Sequence, residues 1–266
     1  MFAVLETTTI PSRCAWTGAR PRITYQDKPE YIRAKVALPL RARNTRLRKL
    51  YLRALRTIQK SGAAGIVLPK DFPFPELAEK RGLAVSSAVP LLRRLAAQLC
   101  GLAIEENGFT REKVRVTLLG TRPSPELLAA AGALASSVRA LYIDAGEDTG
   151  AACYLMRSRY GISALGRPPK PDADAQDVFI VFDRLWCVKP GKTFEAADGA
   201  VVLNLTGGVP ALSGGRWFEG ALLEPPRSLW KGWPLGCDTG AMLAALLATE
   251  QVSLGDIRIR GLVSKK

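Results

Sequence analysis

Lys70 and Asp71 stand side by side in LPKDFPFP, just after an apolar run, and an ammonium beside a carboxylate can serve as an acid/base pair if both face a cleft. The same two residues also make an ordinary turn. A second group is Gly120, Thr121, Arg122 and Ser124, which end an apolar run and open a helical pattern. A helix N-terminus carrying these side chains can hold a lone phosphate or carboxylate. Alternatively, Ser124 caps the helix with Pro125 in its first turn, and Arg122 is solvated. Thr206 and Gly207 follow another apolar run and form either a ligand loop or a flexible one. A fourth group is cationic: Arg46, Lys49, Arg53, Arg56 and Lys60 recur on one helical face. Such a stripe suits nucleic acid, an anionic membrane surface or an acidic partner, or is a solvated face.

Histidine is absent from all 266 residues. That removes the commonest general base, the usual zinc and iron ligand, and every Ser-His or Cys-His nucleophile. Catalysis by Asp, Glu, Lys, Tyr or Cys, or by a cofactor that carries the chemistry, stays open. The five cysteines (Cys14, Cys100, Cys153, Cys187, Cys237) are scattered, with no CxxC pair, so they read as reduced, buried thiols and no metal site is expected. The formal charge is +14, and the stretch Tyr31 to Lys70 contributes eleven Lys or Arg residues and no acid. The N-terminus lacks the basic start and apolar core of a signal peptide, and no apolar run is long enough to cross a bilayer. The expected compartment is the cytoplasm.

These groups must be positioned by alternating elements. Short strands are expected at Phe2 to Leu5, Arg22 to Tyr25 and Ile32 to Leu38, then a helix capped by Asn44 or Thr45, with Leu47, Leu50, Tyr51, Ala54, Leu55 and Ile58 on its apolar face, ending at Gly62. Strand and helix signals then alternate: a strand at Gly65 to Leu68, a helix at Pro75 to Lys80, a strand at Leu83 to Ser86, and one long helix from Pro90 to Glu106. Strands follow at Val114 to Leu119, Leu141 to Ile143, Ile162 to Leu165, Val178 to Phe182 and Val201 to Leu205. Helices are expected near Ser124 to Ser136, Ala151 to Arg159 and Thr239 to Thr249, the last capped by Asp238. The stretch between Leu205 and Asp238 reads as irregular, with Trp217, Trp230 and Trp233 covering core, and the C-terminus as a basic tail.

The order and spacing of elements over residues 113 to 205 resemble the NAD(P)-binding Rossmann superfamily. The resemblance implies a parallel sheet with helices on both faces, a ligand crevice beside Gly120, Thr206 and Gly207, and a ribose-binding role for Asp144 at the end of the second strand. The family's G-x-G-x-x-G turn is missing: Thr121-Arg122-Pro123-Ser124-Pro125 follows Gly120, and two prolines supply no N–H to a pyrophosphate. The expected architecture is therefore α/β, a mostly parallel Rossmann-like sheet over 111–266 with an irregular C-terminal extension, and a smaller N-terminal α/β region over 1–110 that carries the basic helix. The expected function is a binding or regulatory module with a degenerate nucleotide site, in which NAD(P) is disfavoured. An NAD(P)-dependent oxidoreductase, assisted by Lys70 and Asp71, and a nucleic-acid or anionic-surface binder using Arg46, Lys49, Arg53 and Arg56 are the alternatives.

Overall fold

The computed structural model describes residues 1–10, 21–39, 43–166, 176–184, 194–209 and 212–264. The chain folds into two compact units, Met1–Ala88 with Glu224–Arg258, and Val89–Leu223 with Ile259–Lys266. Residues 89–106 thus group with the later sheet and 224–258 with the first, a division different from one at 110/111. No described helix is long and apolar enough to cross a membrane.

The first unit is built on strands β1 (Phe2–Ile10), β2 (Arg22–Asp27), β3 (Glu30–Pro39), β4 (Gly65–Val67) and β5 (Ala84–Val85), in the order β2-β3-β1-β4-β5. Only β2 runs antiparallel to its neighbour. Strand β1 is buried on both faces from Phe2 to Glu6, and so reads as a continuous apolar run rather than an alternation. Ala3 and Leu5 pack with Leu55 and Ile58 of helix α1 (Asn44–Lys60), above the short helix α2 (Glu76–Glu79) that contributes Leu77 and Ala78. Phe2 and Val4 pack instead with Met242 and Leu246 of the helix Thr239–Ala248. Asp238 caps that helix as expected, accepting the Ala241 N–H at 3.0 Å. The expected Asn44 or Thr45 cap on α1 is not formed. Arg43 occupies the cap position, and its side chain makes no capping bond.

The second unit contains α3 (Val89–Arg94), α4 (Ala96–Glu106), β6 (Val114–Leu119), α5 (Pro125–Leu134), β7 (Ala140–Asp144), α6 (Thr149–Tyr160), β8 (Leu165–Gly166) and β9 (Gln176–Val181). The elements β10 (Phe194–Glu195), β11 (Val201–Asn204), β12 (Leu212–Ser213), β13 (Arg216–Glu224) and β14 (Arg258–Ser264) follow. Its main sheet runs β14-β13-β11-β9-β6-β7-β8, and the pairs from β8 to β13 are all parallel. Counting its strands from β6, the order is third, second, first, fourth, fifth, sixth, which is the doubly wound order of a Rossmann-like sheet. The direction of winding reverses between β6 and β9, so their carboxyl ends flank the topological switch point.

Several expectations are corrected. The helix Pro90 to Glu106 is two helices, because Leu95 leaves helical geometry at φ −89°, ψ 5°. The strand expected at Ile162 to Leu165 is only Leu165–Gly166. The irregular stretch and the basic tail contain two strands, β13 and β14, which extend the sheet. In β13 only Phe218 is fully buried, so its hydrophobic alternation was too weak to read. Helices α4, α5 and α6 adjoin one another and lie against β7, β9 and β11. The residues Leu119, Phe179, Val181 and Val202, which share the opposite face, pack with Ala196 and Leu212 from the β10–β12 region. Among the described residues, that second face is covered there by a β-pair rather than the helices expected.

An ion pair is built into this sheet. Arg115 of β6 and Asp177 of β9 are register partners, and the guanidinium meets the carboxylate twice, at 2.6 and 2.7 Å. Their side chains are 12% and 4% exposed. In the first unit Glu6 is buried likewise and pairs with Arg33 at 2.8 Å and Lys35 at 3.7 Å.

Candidate functional site

At the switch point β6 is followed by Gly120, whose N–H donates to the Asp144 carbonyl at 2.9 Å and so ties the ends of β6 and β7 together. Gly120 is buried, and a Cβ there would lie 3.0 Å from Leu127 and 3.3 Å from the Arg122 carbonyl. The turn thus packs closely against α5 at this glycine, and a larger residue there would have to push Leu127 aside. Ser124 caps α5, accepting the Leu127 N–H at 3.2 Å, with Pro125 as first helical residue. This hydroxyl is engaged by its own helix. Arg122 and Thr121 are exposed.

The turn is closed by a carboxylate from the neighbouring strand. Thr121 donates its hydroxyl to Asp183 Oδ2 at 2.8 Å and its backbone N–H to the same oxygen at 3.3 Å. Asp183 follows β9 and is 36% exposed. Arg93 of α3 approaches its other oxygen at 4.0 Å and donates to the Leu205 and Phe182 carbonyls, which lie beyond β11 and β9. One guanidinium therefore links the carboxyl ends of two adjacent strands and balances the charge of Asp183.

Asp144 stands at the end of β7, where the Rossmann resemblance requires an acid, but its Oδ1 accepts the Gly146 N–H at 3.1 Å and shapes the local turn. Gly146 has φ +64°, and a Cβ on it would be 3.0 Å from the Thr121 carbonyl. The turns after β6 and β7 therefore touch at backbone level. Beyond β11, Thr206 is buried in a closed knot. Its N–H donates to Asn204 Oδ1 at 3.1 Å, its hydroxyl lies 2.7 Å from that oxygen and 2.9 Å from the Gly208 carbonyl, and Asn204 Nδ2 donates to the same carbonyl at 2.6 Å. Arg184 donates to the Gly207 carbonyl at 2.6 Å. Thus Gly120, Thr121, Arg122, Ser124, Asp144, Thr206 and Gly207 all lie at the carboxyl edge of one sheet, with most of their polar atoms bonded within the chain.

Asp183 and Arg93 were not singled out from sequence. The signal for Asp183 was present, since it ends the strand DVFIVFD at the position where open sheets place ligand groups. Arg93 sits in an arginine pair on a leucine-rich helix, and nothing in that pattern marks it.

The remaining candidates belong to the first unit. Lys70 and Asp71 are exposed and line a recess of about 210 Å³ with Thr7, Tyr51, Phe72 and Gly236. Burial raises the Tyr51 phenol above its ordinary value. Arg46, Lys49, Arg53 and Arg56 are all exposed on α1. Among the described residues, no three Cys, Asp or Glu side chains gather in a metal-binding arrangement. Cys14 and Cys187 lie outside the described residues.

No family model matches the sequence, and no curated protein matches it. Among solved structures the chain is similar to the ligand-free form of 5-ketofructose reductase from Gluconobacter sp. strain CHM43, at 11% identity over 77% of this chain and 79% of that one, with a TM-score of 0.27. A likeness at that level carries no conclusion about activity.

Proposed function

We propose that this protein is a binding or regulatory module whose Rossmann-like sheet carries a degenerate nucleotide site. It accepts a small phosphate- or carboxylate-bearing ligand at the turn after β6 in place of a dinucleotide, and it works in the cytoplasm. The observation that carries this reading is the Asp183 carboxylate on the Thr121 N–H and hydroxyl. In a functional dinucleotide turn such amides face the pyrophosphate, whereas here they already serve an anion of the chain itself. Pro123 and Pro125 offer no N–H, and the Leu127 amide is taken by Ser124. A diphosphate would meet a fixed carboxylate with too few donors to offset the repulsion.

Arg122 is exposed beside the helix start, and a single anion can reach it without displacing Asp183. Calorimetry is expected to show no NAD or NADP binding below about 100 μM, a dissociation constant corresponding to roughly 5.5 kcal/mol. Inorganic phosphate or a small dicarboxylate should bind the intact chain and lose that binding in Arg122→Gln. Asp183→Asn, which removes the competing charge and keeps the shape, should improve NAD binding. Submicromolar NAD affinity that disappears in Asp144→Ala would replace this reading with the oxidoreductase one.

A further inference from the structure

The face of α1 that turns away from the sheet carries Arg46, Lys49, Arg53, Arg56 and Lys60, every one of them exposed. At about 100° per residue these five positions fall within an arc of about 80°, and at 1.5 Å per residue they extend over about 21 Å. The steps alternate between three and four residues, so successive cations are about 4.5 to 6 Å apart along the axis. No acidic residue occurs between Tyr31 and Lys70 to neutralise them. Among the described residues, the ion pair on the helix, Arg48 with Glu76 at 3.8 Å, involves an arginine that is not part of the stripe. The helix thus holds a straight row of five charges on a rigid rod.

Holding like charges in a row costs stability unless something anionic meets them. The opposite face of α1 is committed to the core through Leu50, Tyr51, Ala54, Leu55 and Ile58. A helix that lies in a membrane surface needs its apolar face free to enter the lipid, and this one has none to give. What remains is a linear polycation rich in arginine, whose planar guanidinium matches phosphate oxygens. Its complement is a linear polyanion with regularly spaced phosphates.

We propose that α1 is a docking surface for the phosphate backbone of nucleic acid, reading charge and spacing rather than sequence. The stripe belongs to the first unit and the proposal does not depend on the ligand of the Rossmann-like sheet.

The test is fluorescence anisotropy of the full-length protein with a labelled 20-base-pair DNA duplex across a salt series. Five phosphate contacts give a slope of log affinity against log salt of about −4.5, which is about a 500-fold loss between 50 and 200 mM. Replacing Arg46, Arg53 and Arg56 together by Gln should reduce the slope to about −1.8 and the loss to about 12-fold. A control variant with Lys113, Arg139 and Arg157 changed to Gln removes the same net charge from the other unit and should leave the slope unchanged. Should the triple α1 variant fold poorly, Arg53→Gln alone is expected to lower the slope by about one unit. Equal losses in the two triple variants would show that only net charge matters and overturn the proposal. So would undetectable duplex binding at 50 mM salt. Binding to phosphatidylserine vesicles that needs the stripe, without duplex binding, would replace nucleic acid by a membrane surface.

Discussion

Asp177→Ala is expected to destabilise the second unit by about 3–5 kcal/mol, one of the largest effects a single substitution can have in this chain. The carboxylate sits on the central strand pair β9 and β6, 4% exposed, and receives two charge-assisted hydrogen bonds from Arg115. Removing it deprives a guanidinium only 12% exposed of its two carboxylate bonds, so the loss includes desolvation that those bonds had offset and exceeds the worth of the pair itself. The pair as a whole is expected to contribute little. Changing Arg115 to Met and Asp177 to Leu together should therefore recover most of the loss. Thermal melts of the three proteins separate these effects: the single variant should melt about 10 °C below the parent, and the double variant close to it. A single variant as stable as the parent would mean that Arg115 is satisfied without Asp177 and that the carboxylate contributes little to the fold.

The sheet was legible in the sequence because its central strands are buried on both faces. Val178 to Phe182 and Val201 to Leu205 read as apolar runs, and a chain that alternates such strands with helices has few topologies open to it. The caps at Ser124 and Asp238 were legible for a local reason, since a short side chain bonds an amide three residues on. The sheet edge was not. Strands β13 and β14 are half exposed and Arg-containing, and pairing across the sheet rather than their own composition makes them strands.

The site was half legible for a related reason. Gly120 and Asp144 could be placed because each ends a strand of the recognisable pattern, yet what they do depends on residues distant in the chain. Asp183 reaches Thr121 across 62 positions, and Arg93 reaches Leu205 across 112. Hydrogen bonds of that separation leave no periodicity in a sequence. Their effect is nonetheless decisive, because they determine whether the amides at the switch point face a ligand or face the chain. Asp144 shows the same limit, since an Asp two residues before a glycine is equally compatible with a ribose ligand and with the turn bond that it makes to Gly146.

Stability is also expected to fall steadily above about pH 9, from groups whose burial prevents them from ionising in the folded chain. Burial pushes the Cys100 thiol from its ordinary 9.0 up to about 12. Cys237 is likewise raised to about 12, by burial first and then by the charges of Asp238 and Glu6. Tyr31 rises from 10.0 to about 12, again through burial, with Glu6 adding and Arg33 opposing, and its hydroxyl donates to the Gly232 carbonyl at 2.7 Å. In each case the folded chain keeps a proton that the unfolded chain gives up near its ordinary value. The stabilising contribution is therefore complete below about pH 9 and is lost as pH rises towards about 12. For Cys100, fully enclosed in α4, the slope approaches about 1.4 kcal/mol per pH unit once the unfolded thiol is ionised. Cys237 is only partly buried and contributes less. Urea midpoints between pH 7 and 11 measure the slope, and Cys100→Ala isolates one part of it. That variant pays a modest cavity cost at pH 7 but should lose stability more slowly than the parent above pH 9, so the two curves converge. Parallel curves would show that Cys100 does ionise inside the fold and that solvent reaches the α4 interior.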